Sequence, residues 1–135
     1  MSRLNRAKWR GRRGLYEVWY LTLHDSESGW AFWFRYTVNA PPRGGGEPEA
    51  HLWAFSFPPE GSGPALQLID RHPVDRFQVD PKGKTFGVTL GPGRYELGPN
   101  GGVARGAVGS GDRRLSWDLT LSPPDLRPFS HVAPA

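Results

Sequence analysis

The segment from Gly14 to Pro58 is apolar on both of its faces, and this limits what the chain can fold into more than any other feature. It reads LYEVWYLTLH, a polar break DSESG, WAFWFRYTVNA, a loop rich in proline and glycine, and then HLWAFSFP. Side chains alternate across a strand, so Leu15 to His24 sets Tyr16, Val18, Tyr20 and Thr22 against Leu15, Glu17, Trp19, Leu21 and Leu23. Trp30 to Asn39 sets Trp30, Phe32, Phe34, Tyr36 and Val38 against Ala31, Trp33, Arg35 and Thr37. In His51 to Phe57, His51, Trp53, Phe55 and Phe57 oppose Leu52, Ala54 and Ser56. Aromatic and β-branched content of this density favours strands. A half-exposed antiparallel sheet alternates cleanly between apolar and polar residues, and this one does not. Each side therefore needs a cover: a barrel or sandwich core on one, and a partner subunit or domain on the other, because soluble monomers rarely expose large apolar patches.

The rest of the chain continues as short apolar runs between turns. Strands are expected at Ala65 to Asp70, with a short extension at Arg76 to Val79 after Pro73, then at Thr85 to Leu90, Tyr95 to Leu97, Val103 to Val108 and Arg114 to Leu121. PKGK at 81–84, GPGR at 91–94, PNGG at 99–102 and Ser110 to Asp112 carry the turn chemistry between them. This makes about eight antiparallel strands with no helix, an all-β barrel or curved sandwich of the size that can hold one small ligand. The domain spans residues 15–121, preceded by a basic arm at 1–14 and followed by a proline-rich tail at 122–135. Trp9 in the arm is expected to cap the open end of the core.

Composition removes several function classes. The chain has 135 residues, enough for one domain, and no cysteine, so neither a disulfide framework nor a thiolate site is available. The net charge of +4 comes from the arm, where Arg3, Arg6, Lys8, Arg10, Arg12 and Arg13 lie; the remainder holds 11 basic against 13 acidic residues. A slightly acidic body argues against a nucleic-acid partner. No apolar run reaches membrane-span length, which implies no transmembrane segment, and the basic arm lacks the apolar h-region of a signal peptide, so the cytoplasm is the expected compartment. His24, His51, His72 and His131 lack metal-ligand spacing, so neither a metal nor a cofactor is expected. KGKT at 82–85 has Gln78 where a phosphate loop needs its first glycine, and GSG at 61–63 and 109–111 lacks the flanks of a nucleophile elbow.

Glu17 and Arg35 are charges set among bulky apolar neighbours, a costly placement unless they are paired or used. An odd hairpin loop, Asp25 to Glu27, would put Glu17 across from Arg35 and Trp19 across from Trp33; an even loop would put them on different faces. Given the odd register, the pair either fixes strand register or anchors a ligand in an apolar cavity. The ligand-binding set on the second reading is Glu17, Trp19, Trp33, Arg35, Tyr36 and Trp53.

The strand signatures YEVWYLTL, GWAFWFRYT, LWAFSF and LSWDLTLSP resemble the N-terminal lipocalin-like half of the proteins related to carotenoid 1,2-hydratase, tocopherol cyclase and the AttH group, over residues 9–129. The resemblance implies a lipocalin-like barrel that binds a hydrophobic, isoprenoid- or lipid-like molecule. Members of that group carry two such halves packed together, which implies a homodimer or pairing with a second half through the aromatic face. Its enzymatic members imply an alternative, a hydratase or cyclase module, which would need a carboxylic acid in a dry cavity. Glu17 and Asp118 are the carboxyls to place, and neither matches a catalytic motif of the group. A third reading is a structural or assembly domain without a ligand.

Overall fold

The computed structural model describes residues 7–79 and 86–123. The rest of the arm, the PKGK turn and the proline-rich tail from 124 onward lie outside the described residues. Strands β1 (Leu15–His24), β2 (Ala31–Ala40), β3 (Glu49–Phe57) and β4 (Leu66–His72) form one antiparallel sheet in that order. After Pro73 and one 3-10 turn at Val74–Arg76, strands β5 (Phe77–Val79), β6 (Phe86–Leu90), β7 (Gly93–Gly98), β8 (Gly101–Ser110) and β9 (Arg113–Leu121) form a second, also in chain order. The expected short extension at 76–79 is thus a strand in its own right, because the turn swings it onto the second sheet. Among the described residues the strands number nine, against about eight expected. Among the described residues no ladder joins the two sheets, so the chain folds as a curved sandwich and the barrel does not close.

Alternation along the strands decides what fills the sandwich. Tyr36, Val38, Leu52, Val88, Leu90 and Val108 are fully enclosed between the sheets, with Phe34, Ala54, Phe77 and Ala104 around them. Burying side chains of this size contributes roughly 1.5–3 kcal/mol each. Trp117 of β9 lies flat on Phe34 of β2, with ring centroids 4.2 Å apart, and its indole N–H donates to the Tyr36 hydroxyl at 3.1 Å. That hydroxyl in turn donates to the Arg105 carbonyl at 2.9 Å, so one polar chain crosses the apolar interior with every member satisfied. Room for the indole comes from Gly106, its cross-strand neighbour, where a Cβ would stand only 2.2 Å from the ring. A second link between the sheets runs from the Gly109 amide to the Asp70 carboxylate at 3.1 Å.

The arm closes one end of this interior. Ala7 and Trp9 belong to the buried core. Glu17, on the inward face of β1, holds the segment by accepting the Lys8 amide at 2.7 Å and the Trp9 amide at 3.1 Å. Gly14 then donates to the Ala40 carbonyl, starting the first ladder.

Candidate functional site

The first hairpin sets the geometry of the site through the length of its loop. Asp25 folds the break into an Asx turn: its carboxylate accepts the Ser28 hydroxyl at 2.6 Å and the Glu27 amide at 3.1 Å, contacts that hold it below its ordinary acidity range. The Asp25 amide then donates to the Trp30 carbonyl, so the loop runs through residue 30 and is even in length. Glu17 consequently lies opposite Val38, Trp19 opposite Tyr36, Tyr20 opposite Arg35 and Thr22 opposite Trp33. The pairs Glu17–Arg35 and Trp19–Trp33 that an odd loop would give do not form, and the even-loop alternative, with Glu17 and Arg35 on different faces, holds.

This register divides the six sequence-derived site residues between two faces. Glu17, Trp19 and Tyr36 point inward. Glu17 is engaged by the arm, and Trp19 packs against the core. Tyr36 is fully buried, and that burial pushes its phenol far above the ordinary value of 10.0. Trp33, Arg35 and Trp53 point outward and do come together. The Arg35 guanidinium carbon lies 5.1 Å from the centroid of the Trp33 ring and 5.0 Å from that of Trp53, clamped between two indoles. Such contacts contribute about 2 kcal/mol each where water is partly excluded.

Around that clamp the outer face of the first sheet gathers several aromatic side chains. Tyr20 meets Trp33 edge-on at 6.0 Å, and Phe55 lies 5.1 Å from Trp33. Along β3 the rings of Trp53, Phe55 and Phe57 stand nearly parallel, at successive spacings of 6.2 and 6.4 Å. The Trp53 indole is fixed by donating to the Thr37 hydroxyl at 3.0 Å, which donates to the His51 carbonyl. Tyr16, Tyr20 and Ile69 are exposed, Tyr20 by 58% and Ile69 by 44%. Tyr20, Phe55 and Thr37 were absent from the sequence-derived set. Alternation already placed Phe55 beside Trp53, but Tyr20 could be joined to Arg35 only once the loop was known to be even.

Arg35 is left without a counter-charge. Among the described residues no carboxylate or carbonyl meets its guanidinium, and its Nε, like the Trp33 indole nitrogen, is covered without a partner. Several other basic side chains do meet acids. Glu49 takes Arg71 at 2.9 Å and His51 at 3.8 Å. Asp118, largely exposed on the second sheet, takes Arg105 at 2.8 Å. Of the two carboxyls to place, Glu17 is thus taken up by the backbone amides of the arm and Asp118 by Arg105 at the surface. A polar surface cleft of about 470 Å³ between the arm and the β2–β3 loop is lined by Arg13, Arg43, Gly44, Gly46 and Glu47, with Arg13 already bonded to Gly46 and Glu47. No cluster of metal-ligating side chains occurs among the described residues, and no described helix is long and apolar enough to cross a membrane.

Fold and face together define an antiparallel β-sandwich with an arginine-centred aromatic outer surface. The chain is similar to two proteins of Mycobacterium tuberculosis, one from each of two strains and both described as uncharacterized; each is 43% identical over 126 residues, covering 93% of this chain. That match covers 34% of each relative, so the chain spans about a third of the length of the curated relatives it matches. No family model matches the chain, and no solved structure matches it.

Proposed function

We propose that this chain is a binding module, not an enzyme, and that it takes up a hydrophobic small molecule of lipid- or isoprenoid-like character on the outer face of its first sheet. The observation that carries this reading is the outward aromatic lane of the half-buried Trp33, Trp53 and Phe55 and the exposed Phe57, beside the exposed Tyr20, an apolar surface that the packing of the domain itself does not require. The resemblance to lipocalin-like proteins supports the choice of an apolar ligand. The sandwich interior supports an outer site over an inner one, since Tyr36, Leu52 and their neighbours occupy the space between the sheets. A cysteine-free chain needs no oxidising setting, which supports the cytoplasm as its compartment. A second reading, cover by a like subunit or a further domain, is favoured by one observation: the relatives are about three times the length matched.

Titration with the uncharged probe N-phenylnaphthylamine tests the proposal. The expected result is a rise in probe emission with energy transfer from tryptophan, and a loss of affinity of about tenfold in Trp53→Ala, in line with the weight of buried aromatic anchors. No binding up to the probe's solubility limit, or equal binding by Trp53→Ala and Phe55→Ser variants with unchanged near-ultraviolet dichroism, would discard it. A stable dimer in sedimentation that excludes the probe would transfer the face to the second reading.

A further inference from the structure

The unpaired Arg35 says what kind of molecule the face accepts. A half-buried cation needs a counter-charge or a strong substitute for one. The two indoles supply part of that, with the guanidinium carbon 5.1 and 5.0 Å from their ring centroids, but they offer its N–H groups no acceptor, and Nε is left without a partner. A second copy of the chain does not fill the need. The one carboxylate on the outer face of these four strands, Glu49, is already held by Arg71 and His51. Pairing the face with itself would bring two unpaired guanidinium groups to an apolar interface, with no free acid between them.

The surroundings of Arg35 are also directional. Toward one end of the sheet lie Thr37, His51, Glu49 and Arg71, polar and mutually bonded. Toward the other end Trp53, Phe55 and Phe57 continue as parallel rings, an apolar lane of about 13 Å at the rise of a strand. Resting on the proposed role of this face in binding apolar molecules, we infer that the ligand is a free amphipathic carboxylic acid. Its carboxylate seats end-on against the terminal nitrogens of Arg35, and its hydrocarbon body lies along Trp53, Phe55 and Phe57. The carboxylate matches a planar guanidinium fork in shape and cancels its single charge. The aromatic walls keep the pair partly shielded from water, where such a contact gains strength.

The test compares dodecanoic acid with methyl dodecanoate, both below the concentration at which they aggregate, as competitors of bound N-phenylnaphthylamine at neutral pH. The acid should displace the probe at a concentration at least about tenfold lower than the ester. That preference should shrink as salt is raised. Arg35→Met should make the two equal by weakening the acid alone, and Arg35→Lys should keep part of the preference. Equal potency of acid and ester on the unaltered protein overturns the inference while leaving binding of the neutral probe, and with it the proposed function, intact. Absence of probe binding removes both. If Arg35→Met does not fold, the acid-to-ester ratio on the unaltered protein and its salt dependence decide. A preference that persists in a folded Arg35→Met variant overturns the assignment of the carboxylate to Arg35. A dimer that dissociates on Arg35→Met and binds neither competitor assigns the residue to self-association and overturns the inference as well.

Discussion

The outer faces of the two sheets carry opposite chemistry on the same architecture. On the second sheet the outward residues of β6 to β9 include Thr89, Arg94, Glu96, Val103, Arg105, Ala107, Ser116, Asp118 and Thr120, and charges pair across or along the strands, Arg94 with Glu96 and Arg105 with Asp118, each at 2.8 Å. The alternation is that of a sheet with one face in water. On the first sheet the outward row opposite the core is Tyr20, Trp33, Trp53, Phe55 and Ile69, with an arginine that lacks a counter-charge. Both inner faces are apolar, so the core makes the same demand of each sheet. The outer face of the first sheet is therefore set by something other than the folding of this domain, and that difference points to where binding belongs.

Variants of the shared interior fix the scale against which either outer face is judged. The largest effect is expected at Gly106, where any side chain meets the Trp117 ring and would lift it off Phe34. Gly106→Val should cost about 3 kcal/mol in denaturant unfolding, at the upper end for an overpacked site. A cost under about 1 kcal/mol would mean that the indole is free to move and that the interior is less filled than described. Tyr36→Phe ranks next at about 2 kcal/mol, since it strands the Trp117 indole N–H and the Arg105 carbonyl in the interior. The same residue predicts a pH effect. Burial raises the folded phenol above its unfolded value near 10, so its contribution is fully present below that pH and is lost as pH climbs toward the raised folded value. Unfolding midpoints measured from pH 9 to 12 should fall more steeply for the unaltered protein than for Tyr36→Phe. Equal slopes would show that Tyr36 does not govern alkaline stability; Tyr95, raised by the same burial, contributes in both proteins.

The legibility of this fold in its sequence followed the range of the interactions. Leu15–His24 was readable to its ends, because alternation and the flanking Gly14 and Asp25 are local signals. The turns at 91–92, 99–100 and 111–112 were marked by glycine, proline and asparagine at the positions that bend. The aromatic character of both faces followed from parity alone; Trp9, expected to cap the core as the one large apolar residue among the charges of the arm, is buried. What failed was the count of residues between β1 and β2. The Asp25 side chain there adds an Asx turn before the strands separate, and one residue of slip moves every side chain to the other face. That count joined Glu17 to Arg35 and Trp19 to Trp33, whereas Tyr36 lies on the opposite face of β2 from Trp33 and Arg35 in either register. Barrel against sandwich was not readable either, since closure depends on pairing between strands far apart in the chain. The fit of Trp117 over Gly106 is a long-range match of the same kind.

The smallest expected effect separates the two outer faces most directly. Arg105 and Asp118 form a well-aligned ion pair, yet their side chains are 51% and 76% exposed. Water already screens both charges, and holding two side chains together costs rotamer freedom. Replacing both, as Arg105→Gln with Asp118→Asn, should shift stability by no more than about 0.5 kcal/mol and leave probe binding unchanged. Arg35→Met makes the opposite comparison. It removes a cation that has no ion pair to lose and is expected to alter binding of the acid. If neutralising the paired charges of the second sheet also weakened acid binding, the long-range field of the domain, rather than the contact at Arg35, would be attracting the carboxylate, and the contrast between the faces would fail. If only Arg35→Met acts, then of two arginines at similar positions on neighbouring sheets the one without a partner is the one that recognises the ligand.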